Sequence, residues 1–554
     1  MSDALRVIPL GGVGEIGKNM LALEQGDDIV VIDAGLMFPD EEMLGIDLVI
    51  PDITYLKQNK KKVRGIVLTH AHEDHMGALP YVLRDLPDVP IYGTKLTLGL
   101  MRTKLREHKL ADKVDAREFA PGSPFKVGAF ACDSYAVCHS IPDAVGITLE
   151  TRYGTVVHSG DWKFDHTPVD GRQTDFAKLS AVAAKGVLLL MSDSTRAEVA
   201  GYTQSERHVG ELFDAIMARA PGRVITTTFA SNISRIKQII ELAAGWGRRT
   251  AIIGRSMENY TRTARELGYF SVPEGSLIHP KEIDKLPDSE LCIITTGSQG
   301  EPTSALSRMA LGDHRHGVVK EGDTVVMSAT PIPGHEELVS RTVDNLFKLG
   351  AEVVYDPQVR PHVSGHASQE ELKLLLNILR PRYFVPIHGE YRMLVRHARL
   401  AIDLGVRPEN AFVVTNGDVV EVDGNGARLG NRVPSGVVYV DGLGVGDVSE
   451  SVMRDRWSIG SDGIFLVVIS IDRQTAQVVG GPDIVTKGFV PEENAADLAD
   501  RVRQRILDGL AEVQSGEHLA EVATIRDTIH DTVASYLYER TKRRPMVLPV
   551  IMQV

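Results

Sequence analysis

Three imidazoles and two carboxylates fall within six positions in the run Thr69-His70-Ala71-His72-Glu73-Asp74-His75. The run follows directly on the apolar segment Val63-Arg64-Gly65-Ile66-Val67-Leu68. Histidine nitrogen and aspartate oxygen are ordinary ligands for zinc-like ions. Holding four such groups on one loop is costly unless something positive sits between them. The chain has 18 His in 554 residues, so a merely solvated loop is an improbable source of so tight a cluster. Metal binding is the expected chemistry.

The cluster is not alone. Ser134-Tyr135-Ala136-Val137-Cys138 leads to His139, Thr155-Val156-Val157-His158-Ser159-Gly160 to Asp161, and Tyr383-Phe384-Val385-Pro386-Ile387 to His388. Each reads as a buried strand that delivers a ligand-type residue at its C-terminal end. One His in such a place is usually structural, but the repetition favours a shared site. Asp33 closes Ile29-Val30-Val31-Ile32 in the same way and is better placed to orient a ligand than to be one.

Gly12-Val13-Gly14-Glu15-Ile16-Gly17 matches the dinucleotide-binding G-x-G-x-x-G. That motif needs a helix immediately afterwards to meet the pyrophosphate. Here Lys18 to Glu24 and Asp28 to Asp33 read as two strands about a Gln25-Gly26-Asp27 turn, so a glycine turn in a hairpin is expected. No Walker A loop and no G-x-S-x-G elbow occurs.

The elements that must position these residues form several domains, given the length. The first two hundred residues are rich in short β-type runs with few and short helical patterns. From about Ser205 helices (Glu206 to Arg219, Ile233 to Ala244, Glu336 to Leu349) alternate with buried strands (Val224 to Phe229, Thr250 to Ile253, Cys292 to Thr296, Thr324 to Ser328). This alternation predicts a parallel, doubly wound sheet. Beyond about Asp356 the chain reads as loop and strand again, as if an α/β domain were inserted into the first. The expected divisions are 1–204 and 357–435 for the interrupted domain, 205–356 for the insert, 436–456 for a Gly-rich linker, and 457–554 for a small α/β domain. That last domain would hold two strands, helices at Glu492 to Val513 and Glu517 to Tyr538, and a final strand Met546 to Met552.

Composition narrows the class. Hydrophobic content of 43% with 24% charged residues is that of a globular chain and not a disordered one. No apolar stretch is long enough to span a membrane, and the N-terminus lacks a signal-peptide core. Three cysteines, Cys132, Cys138 and Cys292, make no disulfide framework, which points to a cytoplasmic setting. Net charge of −13 argues against a generally basic nucleic-acid coat, although ions and a local groove can counter phosphate.

Together these residues resemble the metallo-β-lactamase fold, whose H-x-H-x-D-H signature stands here as His70, His72, Asp74 and His75. The resemblance implies an αββα sandwich. It also implies two divalent ions: zinc, with manganese or magnesium as alternatives at one position. His70, His72 and His139 would hold one ion and Asp74, His75 and His388 the other, with Asp161 bridging. The insert before the last His resembles the β-CASP nucleases, which implies roles for Asp193 in Met191-Ser192-Asp193-Ser194-Thr195 and for His366 in His362-Val363-Ser364-Gly365-His366. At whole-chain level, Gly11 to Asn19 and Pro386-Ile387-His388-Gly389-Glu390 resemble the bacterial ribonuclease J family. That likeness implies 5′→3′ exonuclease action on single-stranded RNA favoured by a 5′-monophosphate, with endonuclease cuts, in RNA maturation and decay. It implies a homodimer through the C-terminal domain and contact with other RNA-decay proteins. It also suggests a structural calcium at Asp441 with carbonyls near Leu44 and Ile46, where a plain turn Asp is the alternative.

The expected reaction is two-metal phosphodiester hydrolysis that leaves a 5′-phosphate, with Asp74 in the catalytic group. His366 is the candidate acid for the leaving oxygen, held or tuned by Asp193, and its alternative role is to bind phosphate. The small residues from His362 to His366 would let backbone N–H groups approach an anion. Ser231 and Asn232, at the head of an inserted helix, would bind a backbone phosphate or simply cap that helix. The rivals are a thioesterase or lactonase on the same fold, a DNA nuclease of the β-CASP group, and a catalytically silent RNA-binding scaffold.

Overall fold

The computed structural model describes residues 4–40, 42–301, 304–331, 335–356, 359, 361–475, 477–514 and 521–554. The N-terminal three residues, the start of the helix expected from Glu517 and the expected restart at 357 lie outside the described residues. Two compact units emerge: 1–38 with 48–438, and 39–47 with 439–554.

The first unit begins with runs such as Ile29-Val30-Val31-Ile32, all buried, the pattern of a strand covered on both faces. Its eight-stranded sheet runs edge to edge through Gly426–Leu429, Val420–Asp423, Leu5–Gly11, Met20–Gln25, Asp28–Ile32, Val63–Val67, Ile91–Gly93 and Ala116–Glu118. The second sheet, of six strands, runs Tyr383–Ile387, Val187–Asp193, Gly154–His158, Val145–Thr151, Phe130–Ala136 and Phe125–Val127. Val30, Ile32 and Val67 of one sheet share a core with Val145, Leu189 and Val385 of the other. On the far side of the six-stranded sheet, Leu179, Leu375 and Ala401, from the helices Phe176–Lys185, Gln369–Leu379 and Tyr391–Asp403, bury Leu190 and Phe384. The outcome is the αββα sandwich.

Between the two parts of that sandwich lies a six-stranded sheet, ordered Leu277–Ile278, Arg249–Ile253, Leu291–Thr295, Val224–Thr227, Thr324–Met327 and Glu352–Val354, with every pair parallel. Its own core includes Ile225, Ile293, Leu306, Val325 and Leu346. This is the expected doubly wound insert.

Helices are more numerous than expected in the sandwich. Lys95–Glu107 is a helix of 13 residues in the strand-rich opening part, and Gln369–Leu379 and Tyr391–Asp403 follow the insert where loop and strand were expected. Nor is 436–456 a bare linker: it contains the antiparallel pair Val437–Asp441 and Gly444–Val445 and the start of the helix Glu450–Asp462.

In the second unit the strands Ile464–Ile471, Val478–Lys487 and Met546–Gln553 form a sheet, with helices Glu492–Gln514 and Val522–Thr541. Alternate residues Phe465, Val467, Ile469 and Ile471 pack on Val502, Ile506, Ile525 and Ile529. No helix among the described residues is long and apolar enough to cross a membrane.

Candidate metal centre

Register explains how residues hundreds of positions apart meet. Val187–Asp193 lies between Gly154–His158 and Tyr383–Ile387, parallel to both, with Asp193 level with Ile387 and Met191 level with His158. Asp161, Asp193 and His388 therefore leave the same edge. His70 leaves the facing sheet just after Val63–Val67. Asp33 and His388 hold positive φ angles of 63° and 52°, a backbone cost that persists where surrounding structure over-determines it.

Among the described residues two donor groups share Asp161, His70–His72–His139–Asp161 and Asp74–His75–Asp161–His388, and a third, Asp193–His366–His388, adjoins them, with the ligand atoms of each within 4.8 Å of one another. Asp161 Oδ2 belongs to the first two. It lies 3.8 Å from His70 Nε2 and from His139 Nε2, 3.1 Å from His75 Nε2 and 3.4 Å from His388 Nε2.

The imidazole tautomers are set from behind. Asp33 Oδ2 takes His75 Nδ1–H at 2.7 Å, and its two oxygens also accept from the Thr69 amide and hydroxyl. The Thr69 hydroxyl, committed to Asp33, accepts from His70 Nδ1 at 3.0 Å. Gly365 O accepts from His139 Nδ1 at 2.9 Å. Thr195 Oγ1 accepts from His388 Nδ1 at 2.6 Å and donates to Asp193 Oδ1 at 2.7 Å. In each case Nε2 is the nitrogen left facing the cluster, a bare lone pair on His70 and His139. His72 instead turns Nδ1 inward, 3.0 Å from His70 Nε2 and 3.1 Å from His139 Nε2. Lone pairs so close repel unless a cation lies among them, so the donor set fits an ion.

Charge follows the same logic. Burial, reinforced by neighbouring imidazoles, holds His70 and His139 well below the usual histidine range, and burial takes His72 down to about 4. These rings are neutral, the form that ligates metal. Burial would raise Asp74 and Asp161, but His75 and His388 keep both carboxyls well below their ordinary range. Burial opposes protonation of His388 and His75, yet Asp161 and Asp74 prevail and lift His388 to about 9 and His75 well above its range. A divalent ion seated there would take the place of those protons.

The glycine-rich segment contributes in a way the nucleotide motif does not suggest. Gly12, at φ 80°, gives its carbonyl to His388 N at 2.9 Å. Asn19 donates backbone and side-chain N–H to Asp74 O, each at 3.0 Å, and its amide lies 3.2 Å from His75 Nε2.

The remaining candidates gather beside the two groups. His366 Nδ1 meets Asp193 Oδ2 at 2.7 Å, and its ring lies 5.1 Å from that of His139. Burial would raise the Asp193 carboxyl, but the His366 charge and hydrogen bond bring it down. In the turn before His366, a Cβ on Gly365 would fall 2.6 Å from His139 Nδ1, so only glycine permits the approach. Ser364 Oγ accepts from His366 N at 3.1 Å. Asn232 caps the helix Ile233–Gly245 through its side-chain oxygen, leaving Nδ2 without a partner among the described residues. Ser231 precedes it. In that helix, the wholly buried Arg235 takes Glu206 in two bonds of 2.6 and 2.9 Å and reaches His362 Nδ1 at 2.8 Å and Val363 O at 3.3 Å. Arg235 thus ties the helix head to the turn.

Comparisons with known proteins give the family. The profile for "Ribonuclease J, beta-CASP domain" matches residues 221–346 and that for "Ribonuclease J C-terminal domain" residues 451–554. Metallo-beta-lactamase superfamily covers 13–182, and "Zn-dependent metallo-hydrolase RNA specificity domain" covers 356–414. Ribonuclease J2 of Bacillus subtilis strain 168 is 44% identical over 554 residues, all of this chain and 99% of its own. The chain belongs to the ribonuclease J family. Ribonuclease J of Thermus thermophilus is likewise 44% identical, over the whole of this chain and 96% of its own. A solved Enterococcus faecalis protein of unknown function shares the fold, at 17% identity and a TM-score of 0.55 over 76% of this chain and all of its own. As a family member the chain is a metal-dependent ribonuclease, a hydrolase whose substrate is RNA.

Leu44 and Asp441, read as possible calcium ligands, lie together in the second unit, where both meet the Arg456 guanidinium. Arg456 donates to Leu44 O at 3.1 Å and to Asp441 Oδ2 at 2.5 Å. Ile46 lies beside them in the turn, with its N–H on Met43 O at 3.2 Å.

Proposed function

We propose that the chain hydrolyses single-stranded RNA to leave 5′-phosphates, as a 5′→3′ exonuclease favoured by a 5′-monophosphate and also as an endonuclease. The observation that carries this reading is the His366–Asp193 pair, 2.7 Å apart, standing next to the two donor groups that share Asp161. Two divalent ions, with zinc the first choice, would supply the activation of water and the neutralisation of the scissile phosphate. His70, His72, His139 and Asp161 would hold one, and Asp74, His75, His388 and Asp161 the other.

The chain's own groups do the rest. Asp193 fixes His366 Nδ1–H, so Nε2 is the end available to the departing 3′-oxygen. As the new P–O bond forms and the P–O3′ bond breaks, His366 gives that oxygen its proton. The N–H groups of Val363, Ser364 and Gly365, which have no acceptor among the described residues, receive a phosphate, joined by the helix head at Ser231 and Asn232.

Two chains associate through the C-terminal unit. On the sheet face turned away from its helices, Val485 and Leu548 flank Leu466, and Val550 and Met552 stay exposed. Cys132, Cys138 and Cys292 are buried and unpaired, which suits a cytoplasmic enzyme.

Labelled RNA and DNA of one sequence, with 5′-monophosphate or 5′-triphosphate ends, test the substrate. Mononucleotide release from the 5′ end of monophosphorylated RNA should exceed release from the other three. Equal turnover of triphosphate ends, or of DNA, would overturn the stated preference.

A further inference from the structure

A tyrosine of the inserted domain reaches into the loop that carries His139. Tyr269 Oη donates to Asp143 Oδ2 at 2.5 Å, four positions after that ligand. The same carboxylate accepts Arg172 Nη1 at 3.0 Å and Leu96 N at 3.3 Å. The Arg172 guanidinium also lies over the Tyr269 ring, 4.8 Å from its centre. Asp143 is buried, has a positive φ of 67° and gives its carbonyl to Thr94 Oγ1 at 3.0 Å. Three separate stretches of chain thus converge on one residue whose backbone is itself held in a sparsely populated region.

A second contact repeats the pattern at the other ligand loop. Glu73 stands between His72 and Asp74, with Lys104 Nζ at 2.5 Å and Tyr260 Oη, again from the insert, at 3.5 Å. Both tyrosines come from the helix Arg255–Glu266 or just beyond it, and that helix packs tightly on Lys95–Glu107. A Cβ on Gly99 would already fall 2.5 Å from Leu267, Thr103 and Thr263 hydroxyls lie 3.2 Å apart, and Lys95 Nζ reaches Leu267 O at 3.1 Å. The seam therefore holds without the phenol groups, whose hydroxyls are spent on loops that present metal ligands. His139 is also gripped from its other side by Gly365 O, so its loop has little freedom once Asp143 is tied.

The geometry points to Tyr269 and Asp143 as positioning residues, a clasp through which the inserted domain fixes the His139 loop and so the His70–His72–His139–Asp161 group. The inference rests on the reading that this group holds a divalent ion. Groups behind a metal ligand typically shift metal affinity or activity by about 10–100-fold when removed, and a contact one step further back belongs at the low end.

The test uses the full chain loaded with zinc and challenged with a chromophoric chelator. Tyr269→Phe keeps the ring under Arg172 and removes only the hydroxyl. It should release zinc about tenfold faster than the wild type, with kcat on RNA falling more than KM rises. Asp143→Asn should act in the same direction, and cobalt(II)-loaded Tyr269→Phe should show altered ligand-field bands. Tyr439→Phe, in the C-terminal unit, should leave all of these at wild-type values. If the wild type takes up zinc but both clasp variants release it at the wild-type rate with unchanged cobalt spectra, the clasp is overturned. If the wild type takes up no zinc, the ion-binding reading fails and takes the clasp with it.

Discussion

His366 Nδ1 and Asp193 Oδ2 lie 2.7 Å apart although 173 positions separate them. Parallel pairing achieves this: Asp193 ends a strand aligned with Tyr383–Ile387, and the turn carrying His366 is held by Gly365 against His139. The proposed proton donor is thereby held beside the two candidate ion-binding groups that share Asp161.

His366→Ala should lower kcat on RNA by about 10²–10⁴-fold, the usual contribution of a positioned acid, while zinc content stays at the wild-type level. Rapid-quench single-turnover kinetics alongside metal analysis check this. An unchanged single-turnover rate would remove His366 from the chemistry.

Thr195 bridges His388 Nδ1 and Asp193 Oδ1 with one hydroxyl, so it orients a candidate metal ligand and the partner of the proposed acid together. Thr195→Val should weaken zinc binding by about 10–100-fold and Thr195→Ser should restore most of it. Chelator competition measures both, and equal affinity in the Val variant would show that the hydroxyl does not set the ligand.

Arg235 is a buried charge satisfied by Glu206, Ser328 O, His362 and Val363 O. Arg235→Ala should cost about 3–5 kcal/mol in urea unfolding because Glu206 is left buried and unpaired. The double variant Arg235→Met, Glu206→Leu should recover much of the stability but not the affinity for RNA, since the turn at His362 loses its anchor. Full recovery of RNA binding would deny the turn that role.

His397 is enclosed, with Nδ1 at 2.9 Å from Ser194 Oγ, and burial pushes it from 6.5 down to about 3. The sign follows: between these two values the unfolded chain binds a proton that the folded chain refuses. Its contribution to stability is full above pH 6.5 and is lost as pH falls toward 3. Going from pH 7 to 5 should cost about 2 kcal/mol through this residue. Urea titrations across that range should show the loss in the wild type and a shallower one in His397→Phe. Parallel pH profiles for the two would contradict it.

The ligands were legible in the sequence because their residue types are rare and each follows a buried strand. The strand-end pattern singled out His70, His139, Asp161 and His388 as candidates, the family resemblance grouped them and added His366 and Asp193, and the structure brings all six together. Thr195, Asn19, Arg235 and Tyr269 were not legible. They are common residue types whose roles arise from strand register and from packing of the insert, neither of which leaves a local pattern. The helix Lys95–Glu107 escaped notice for a related reason. Leu96, Leu98 and Leu100 alternate as in a strand around Gly99, and only packing against Arg255–Glu266 makes sense of that glycine. For Asp441 the alternatives were a calcium ligand and a plain turn aspartate, and the Arg456 guanidinium that meets it comes from a helix in what was read as a linker and the start of the next domain.

Stepwise return of zinc to chelator-stripped protein, with cleavage of 5′-monophosphorylated RNA followed at each addition, tests most directly whether two ions joined by Asp161 carry out the hydrolysis. Cleavage should be absent without metal, appear fully only as the second equivalent binds, and be lost at every ratio in Asp161→Ala. Cleavage by the stripped protein, or full activity in Asp161→Ala, would contradict the two-ion centre.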